Sequence, residues 1–306
     1  MKAITMNKPR RGMTKKTKDY IFVALMLLLP IAQFVVFYVY VNFDSILMAF
    51  QLPKEDGTVE WTFANFKQMF LEFGAADSII LSALKNTMIF FGTNLLIILP
   101  LSFLLCYFLY KRIAGYKIFR VIFYLPCIIS ASVIAILFKY VIEINGPFSV
   151  VRGWFGLETP PFLQRVPSAM WAIVFYSIFF GLGGNLILFS SAMTNIDSGV
   201  IDASKIDGVG MWREIWNVVI PSIWPTLSTV ILFAFIGIFN ASGPILLLTK
   251  GEYNTYTVSY WIYSRVTFNN DLYYPAAVGL FFTAIGAPIA IFMRWLVARN
   301  TDDLTM

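Results

Sequence analysis

Four stretches of this chain, 121–138, 167–196, 221–249 and 272–293, contain no Asp, Glu, Lys, Arg or His. A bilayer crossing needs ~20 mainly apolar residues, and uninterrupted runs of this kind exceed what one face of a soluble helix requires. Six mainly apolar runs qualify, at about 20–43, 84–110, 119–140, 169–193, 222–248 and 274–297. Inside a bilayer every backbone N–H and C=O must be satisfied within protein, so these runs are expected to be helical. The chain is 58% hydrophobic and only 13% charged, with a mean hydropathy of +0.73. Soluble domains carry about a quarter charged residues. The expected fold is therefore an all-α polytopic membrane protein with six transmembrane helices and no room for a large soluble catalytic domain.

Topology follows from the basic residues of the short loops. Seven Lys and Arg precede the first run (Lys2, Lys8, Arg10, Arg11, Lys15, Lys16, Lys18) and four separate the second from the third (Lys111, Arg112, Lys117, Arg120). With Lys205, Arg213, Arg294 and Arg299, fifteen of the 23 basic residues lie on one side. The positive-inside rule makes that side, and both termini, cytoplasmic. The N-terminal segment shows no small-residue cleavage site, so the first run is expected to remain as a span. The chain divides into a basic cytoplasmic tail at 1–19, a membrane domain at 20–298 and a cytoplasmic tail at 299–306. The same confinement explains the net charge of +6 without nucleic acid.

Chemistry is sparse. Histidine is absent, and Cys106 and Cys127 both fall within apolar runs, so neither a metal site nor a disulfide is expected. No G-x-x-x-x-G-K-[ST] phosphate loop is present. Ion-coupled carriers and charge-ring channels place ionisable groups at membrane depth, whereas the four stretches above have none, so energy for transport has to come from outside the chain. Prolines at 30, 100, 126, 225, 244 and 288 fall within or at the ends of the apolar runs, where they kink helices or loosen backbone beside a cavity. Of the outer loops, 44–83 contains "WTFANFKQMF", with the spacing of a short amphipathic helix, 141–168 is rich in Gly, Pro and aromatics, and 249–273 is aromatic and polar.

Neutral polar residues cluster in two runs. Gly181, Gly184, Asn185 and Leu188 share one helical face of the fourth run by their spacing, as do Gly237, Asn240, Ala241 and Pro244 in the fifth. Such faces serve close helix packing, with Asn bonding across helices, or line a translocation path, and both can hold together.

The longest polar interruption is "VIDASKIDGVGMWREIWNVVIP", 200–221. Asp197 or Ser198 can N-cap a helix there, with Asp202 near its first turn. Ala203, Ile206 and Val209 give it a small apolar face, and Gly208 can end it in the left-handed conformation. A second amphipathic segment carries Trp212, Ile215, Trp216 and Val219 on one side and ends at Pro221. By physics alone this is either a passive interfacial loop or a knob presented to a soluble partner.

This stretch resembles the "EAA" signature of ATP-binding-cassette importer permeases, E-A-A-x-x-D-G-x(12)-P, with Asp202, Ala203, Ser204, Asp207, Gly208 and Pro221 at the matching places. "ALKNTMIF" (83–90), "FRVIFYLP" (119–126) and "AVGLFF" (277–282) are similar to runs of the carbohydrate branch, the maltose and glycerol-phosphate type permeases. Two departures stand out: the family Glu is Asp202, one methylene shorter, and the second Ala is Ser204. The resemblance implies the type I importer permease fold and a non-enzymatic subunit in a bacterial or archaeal plasma membrane. Its implied partners are a second homologous permease, two ATPase subunits that bind ATP and Mg, an extracellular solute-binding protein and a carbohydrate, with no cofactor in this chain. It further implies that 197–210 is a coupling helix seated on an ATPase, and that Gly181, Gly184, Asn185, Phe239 and Asn240 contact sugar. The residues leave two alternatives: a permease for another solute such as a polyol phosphate, or a non-transporting membrane scaffold.

Overall fold

A computed structural model describes residues 15–54, 56–75, 77–240 and 243–305. Four of the expected apolar runs form long helices: α1 (Lys18–Ala49), α3 (Ile79–Tyr110), α7 (Ser168–Thr194) and α13 (Tyr273–Thr305). Between α1 and α3 lie a two-stranded antiparallel hairpin, β1 (Gln51–Pro53) with β2 (Val59–Trp61), and the amphipathic helix α2 (Ala64–Gly74). The Asn65 amide donates to the carbonyls of Ala49 and Gln51, fixing α2 to the end of α1. Met69 then buries against Ile80, Trp261 and Val278.

The other two runs are broken. The run expected at 119–140 forms α4 (Tyr116–Ile128) and α5 (Ala131–Ile142), parted by Ile129 in extended conformation. The helix α6 (Pro147–Trp154) follows α5 closely, and 131–154 together are long and apolar enough to cross a membrane. The run expected at 222–248 is interrupted at both ends. After α8 (Ser198–Ile206), helix α9 (Met211–Ser222) meets α10 (Trp224–Ile236) at 80°. Pro225 stands in the first turn of α10, where its missing N–H costs nothing, and so starts a new helix rather than extending α9. Helix α10 stops at Gly237, the chain turns through 237–239, and α11 (Gly243–Leu248) begins afresh. Among the described residues, five helical segments are thus long and apolar enough to span, or up to six if the bent pair counts as one. The described chain closes with α12 (Val258–Asn269) and α13, which continues as helix into the expected C-terminal tail as far as Thr305.

Packing is by close contact of small and branched side chains, since lipid offers no hydrophobic drive between helices. The centre is α7, which lies against α3, α4, α10 and α11. Ile98, Leu99, Phe103 and Cys106 of α3 interlock with Leu182, Leu186, Phe189 and Met193 of α7 and with Ile215 and Val219 of α9. The spanning window of α1, by contrast, buries none of its residues, leaving its apolar surface for lipid or a neighbouring subunit.

The run "ALKNT" has a physical role here. The Asn86 amide donates to the carbonyls of Asn254 and Tyr256 at 2.8 Å each, and the Thr87 hydroxyl accepts from the Val258 N–H at 3.0 Å. These bonds clamp the 249–257 loop, in which Lys250, Tyr253 and Asn254 all hold positive φ, onto the start of α3.

Candidate functional site

Between α3, α4, α5, α7, α10 and α11 lies a cavity of about 760 Å³. Its size falls within the ~300–1,000 Å³ usual for small-molecule sites. Helix α3 contributes Phe90, Phe91, Thr93, Asn94 and Ile98, and the breaks in the other runs supply Pro126, Cys127, Ile129, Gly237, Ile238, Asn240 and Pro244. Asn94 opens a π-helical turn, Asn94–Ile98, and such turns shift side chains off the regular face of a helix. From α7 come Tyr176, Ser177, Phe180, Gly181, Gly184 and Asn185. Among the described residues, no Asp, Glu, Lys or Arg lines the space. The side-chain amides of Asn94, Asn185 and Asn240 make no hydrogen bond to any described residue, so each retains its donors and acceptor for a guest.

Four of the five path residues named from the sequence, Gly181, Gly184, Asn185 and Asn240, stand on this cavity. Phe239 does not. Its ring lies tilted against Phe282, centroids 4.9 Å apart, and 3.2 Å from where a Cβ on Gly286 would stand, so it packs the turn after α10 against α13. The aromatic faces come instead from Phe90, Phe91, Tyr176 and Phe180. Leu188 also leaves the lining, and the helical face read through Gly237, Asn240 and Pro244 is replaced by a turn. Ala241 lies outside the described residues.

The glycine-rich run of α7 both packs and lines. A Cβ on Gly184 would meet nothing within 4 Å, one on Gly181 only the Ile98 side chain, nearest at Cδ1, 3.3 Å, but one on Gly183 would lie 2.1 Å from Cys127 Sγ and 3.3 Å from the Phe123 carbonyl. Gly183 thus sets the close approach of α4 to α7. Gly183→Ala is expected to cost about 1–3 kcal/mol by overpacking, and Cys127→Ala in the same chain to recover most of it. Thermal unfolding of the four solubilised variants checks this.

At the end of the bundle where α3 and α7 terminate, the chain folds as two short helices. The Asp197 carboxylate accepts from the Gly199 N–H at 2.8 Å and caps α8, a contact worth ~1 kcal/mol. Gly208 at φ +66° ends the helix, in the region that spares only glycine a Cβ clash. The faces are reversed from the sequence expectation. Ile201 and Ser204 turn inward, whereas Ala203 and Ile206 turn out, Ile206 being 86% exposed. Ser204 is buried on the side of α8 away from solvent, and its hydroxyl donates to the Ile201 carbonyl at 2.7 Å. Asp202 accepts from Lys205 at 2.9 Å, one turn on, and this hydrogen bond together with the carboxylate's charge holds the Lys205 ammonium above its usual pKa. Both partners are exposed, so the pair is weak and readily exchanged. Asp207 and Gly208 are exposed as well.

In α9, Ile215 and Val219 bury against α3 and α7, while Trp212 and Trp216 point outward. The four residues form two adjacent stripes rather than one, because only the inner stripe packs on the bundle. Sequence reasoning also missed an ion pair between the buried Glu214 and the half-buried Lys111 at the C-terminal end of α3.

These features define a multi-pass helical membrane protein with an uncharged central cavity and a polar two-helix projection at one end. Residues 98–302 match the family described as binding-protein-dependent transport system inner membrane component, and the chain belongs to that family. It is similar to the lactose transport system permease protein LacF of Rhizobium radiobacter, with 27% identity over 73% of this chain and 78% of that protein. The arabinooligosaccharides transport system permease protein AraP of Halalkalibacterium halodurans is 22% identical over 92% of this chain and 88% of its own. Among solved structures, a bacterial ABC transporter involved in the import of the acidic polysaccharide alginate superposes with a TM-score of 0.81 at 23% identity, covering 93% of this chain and 98% of that one.

Proposed function

We propose that this chain is the transmembrane permease subunit of an ATP-driven, binding-protein-dependent importer of carbohydrate. It forms half of the translocation path, in the plasma membrane of a bacterium or archaeon, with both termini cytoplasmic. A second homologous permease forms the other half, two ATP-binding-cassette subunits bind and hydrolyse ATP with Mg, and an extracellular binding protein delivers the solute. The relatives' names support the solute class, and one alginate transporter was solved with a saccharide-bound periplasmic protein.

The observation that carries the reading is the cavity's lining: free amides of Asn94, Asn185 and Asn240 among aromatic faces, with no charged side chain. Amides bond hydroxyls, rings stack on pyranose faces, and nothing in this lining neutralises a phosphate or uronate. A neutral oligosaccharide fits better than the acidic polymer of the alginate transporter. On the cytoplasmic side, 197–210 presents Ile206, Asp202 and Asp207 to an ATPase subunit, with Ala203 beside them and Gly208 setting the bend. Ser204 faces the permease, which accounts for a small residue at the second Ala place. ATPase closure would move this element and reorient the cavity as a rigid-body, alternating-access step.

Asn185→Leu with Asn240→Leu is the test. Solute uptake in cells carrying the variant is expected to fall at least tenfold while the amount of assembled complex in the membrane stays unchanged. A scaffold without transport would show no uptake to lose.

A further inference from the structure

We propose that the Glu214–Lys111 ion pair is the joint through which movement of the 197–210 element reaches the cavity wall, so that both are positioning residues for transport. The inference rests on the coupling reading above. Helix α9 follows the Gly208–Gly210 bend directly, and its Glu214 is only 5% exposed. The Lys111 ammonium meets that carboxylate. Lys111 is the residue that caps α3, where a cation also favours the negative end of the helix dipole, and its Nζ stands 5.7 Å from the centre of the Tyr107 ring. The buried Tyr107 hydroxyl lies beside the same carboxylate.

From Lys111, α3 runs back as one helical body to Ile98, Asn94 and Thr93 on the cavity. The pair therefore links the helix that adjoins α8 to the helix that carries part of the lining. Separating it would leave a carboxylate buried without its cation, so α9 and the end of α3 move together. The Asp202–Lys205 pair, exposed and within one helix, ties α8 to nothing else. Packing of α8 against α9 brings motion as far as α9, and the ion pair then fixes its direction and register along α3.

The native chain holds its own reporter. Cys127 is exposed and lines the cavity, whereas Cys106 is buried, so a bulky hydrophilic maleimide reads access to the cavity. The complex is purified through a tag on this chain from its own host, placed in nanodiscs, and labelled with and without MgATP and orthovanadate. The wild-type labelling rate is expected to change at least fivefold on nucleotide addition. Glu214→Gln and Lys111→Met are expected to retain the ATPase subunits and hydrolyse ATP while the labelling change drops below twofold. Lys111→Glu with Glu214→Lys is expected to restore at least half of it.

Wild-type-sized changes in the single variants, or a loss that only tracks missing ATPase subunits, would overturn the joint, as would failure of the reversed pair to restore it. A wild-type complex that hydrolyses ATP with no change at Cys127 would overturn the transport reading itself.

Discussion

Gly184→Phe is expected to reduce solute uptake a hundredfold or more while the chain folds, inserts and assembles as before. The separation of effects follows from position. A Cβ on Gly184 meets nothing within 4 Å, so the backbone of α7 has no reason to move. The new ring projects into the space bounded by Phe180, Asn185 and Asn240 and occupies volume that a sugar needs. Helix propensity opposes nothing, since Phe is a better helix former than Gly by a few tenths of a kcal/mol. Gly183, one residue earlier, makes the comparison sharp. There the cost is in stability, because the added atom meets Cys127 and the Phe123 carbonyl. Uptake normalised to the amount of assembled complex distinguishes the two positions: a blocked path lowers uptake per complex, a damaged fold lowers the number of complexes. Full uptake by Gly184→Phe would mean that this cavity is not on the path.

The second large effect is expected at Ile206→Asp. An isoleucine 86% exposed at the end of a nine-residue helix contributes almost nothing to the fold of this chain, and surface changes of this kind usually stay within about ±0.5 kcal/mol. On the coupling role proposed for 197–210, its contribution is made at the interface with an ATPase subunit. A large aliphatic side chain inserted in a partner's cleft is worth ~2 kcal/mol or more, and a buried carboxylate in its place adds a desolvation penalty. Co-purification of the ATPase subunits with this chain is therefore expected to fall at least thirtyfold, and transport with it, while membrane abundance is unchanged. Asp202→Asn is a milder companion. It removes only a carboxylate that Lys205 already occupies in the isolated chain, so its effect measures how far a partner cation displaces that lysine.

How much of this was legible follows from which signals are local. The spans α1, α3, α7 and the start of α13 could be read from apolar runs alone, because a bilayer demands length and lack of charge regardless of neighbours. The broken runs could not. Their average hydropathy is as high as that of intact spans, and the breaks depend on single features: Ile129 in extended conformation, Pro225 opening a helix, Gly237 ending one. Those breaks also carry part of the cavity lining, so Asn240 was reached by its residue type but for the wrong geometry. Capping of α8 by Asp197 and the turn at Gly208 were readable, since both are local backbone requirements. Which face of α8 turns inward was not, because Ile201, Ser204 and Ile206 differ only in what they pack against. The Lys111–Glu214 pair joins distant segments and leaves no periodic trace. Phe239 is the converse case: an aromatic beside a polar turn reads as a sugar platform, whereas its ring packs against Phe282 and is not among the residues lining the cavity.

ATP-driven carbohydrate import through this chain is measured most directly as uptake. A strain lacking only this chain, and the same strain complemented with it, are supplied with radiolabelled neutral oligosaccharides, including lactose and arabino-oligosaccharides, alongside an acidic galacturonan oligomer. At least one neutral saccharide is expected to accumulate against its gradient in the complemented strain, ATP depletion to stop it, and the deletion and Gly184→Phe strains to take up none. Equal accumulation of every saccharide with and without the chain, or accumulation that persists after ATP is depleted, would contradict ATP-driven import through this chain.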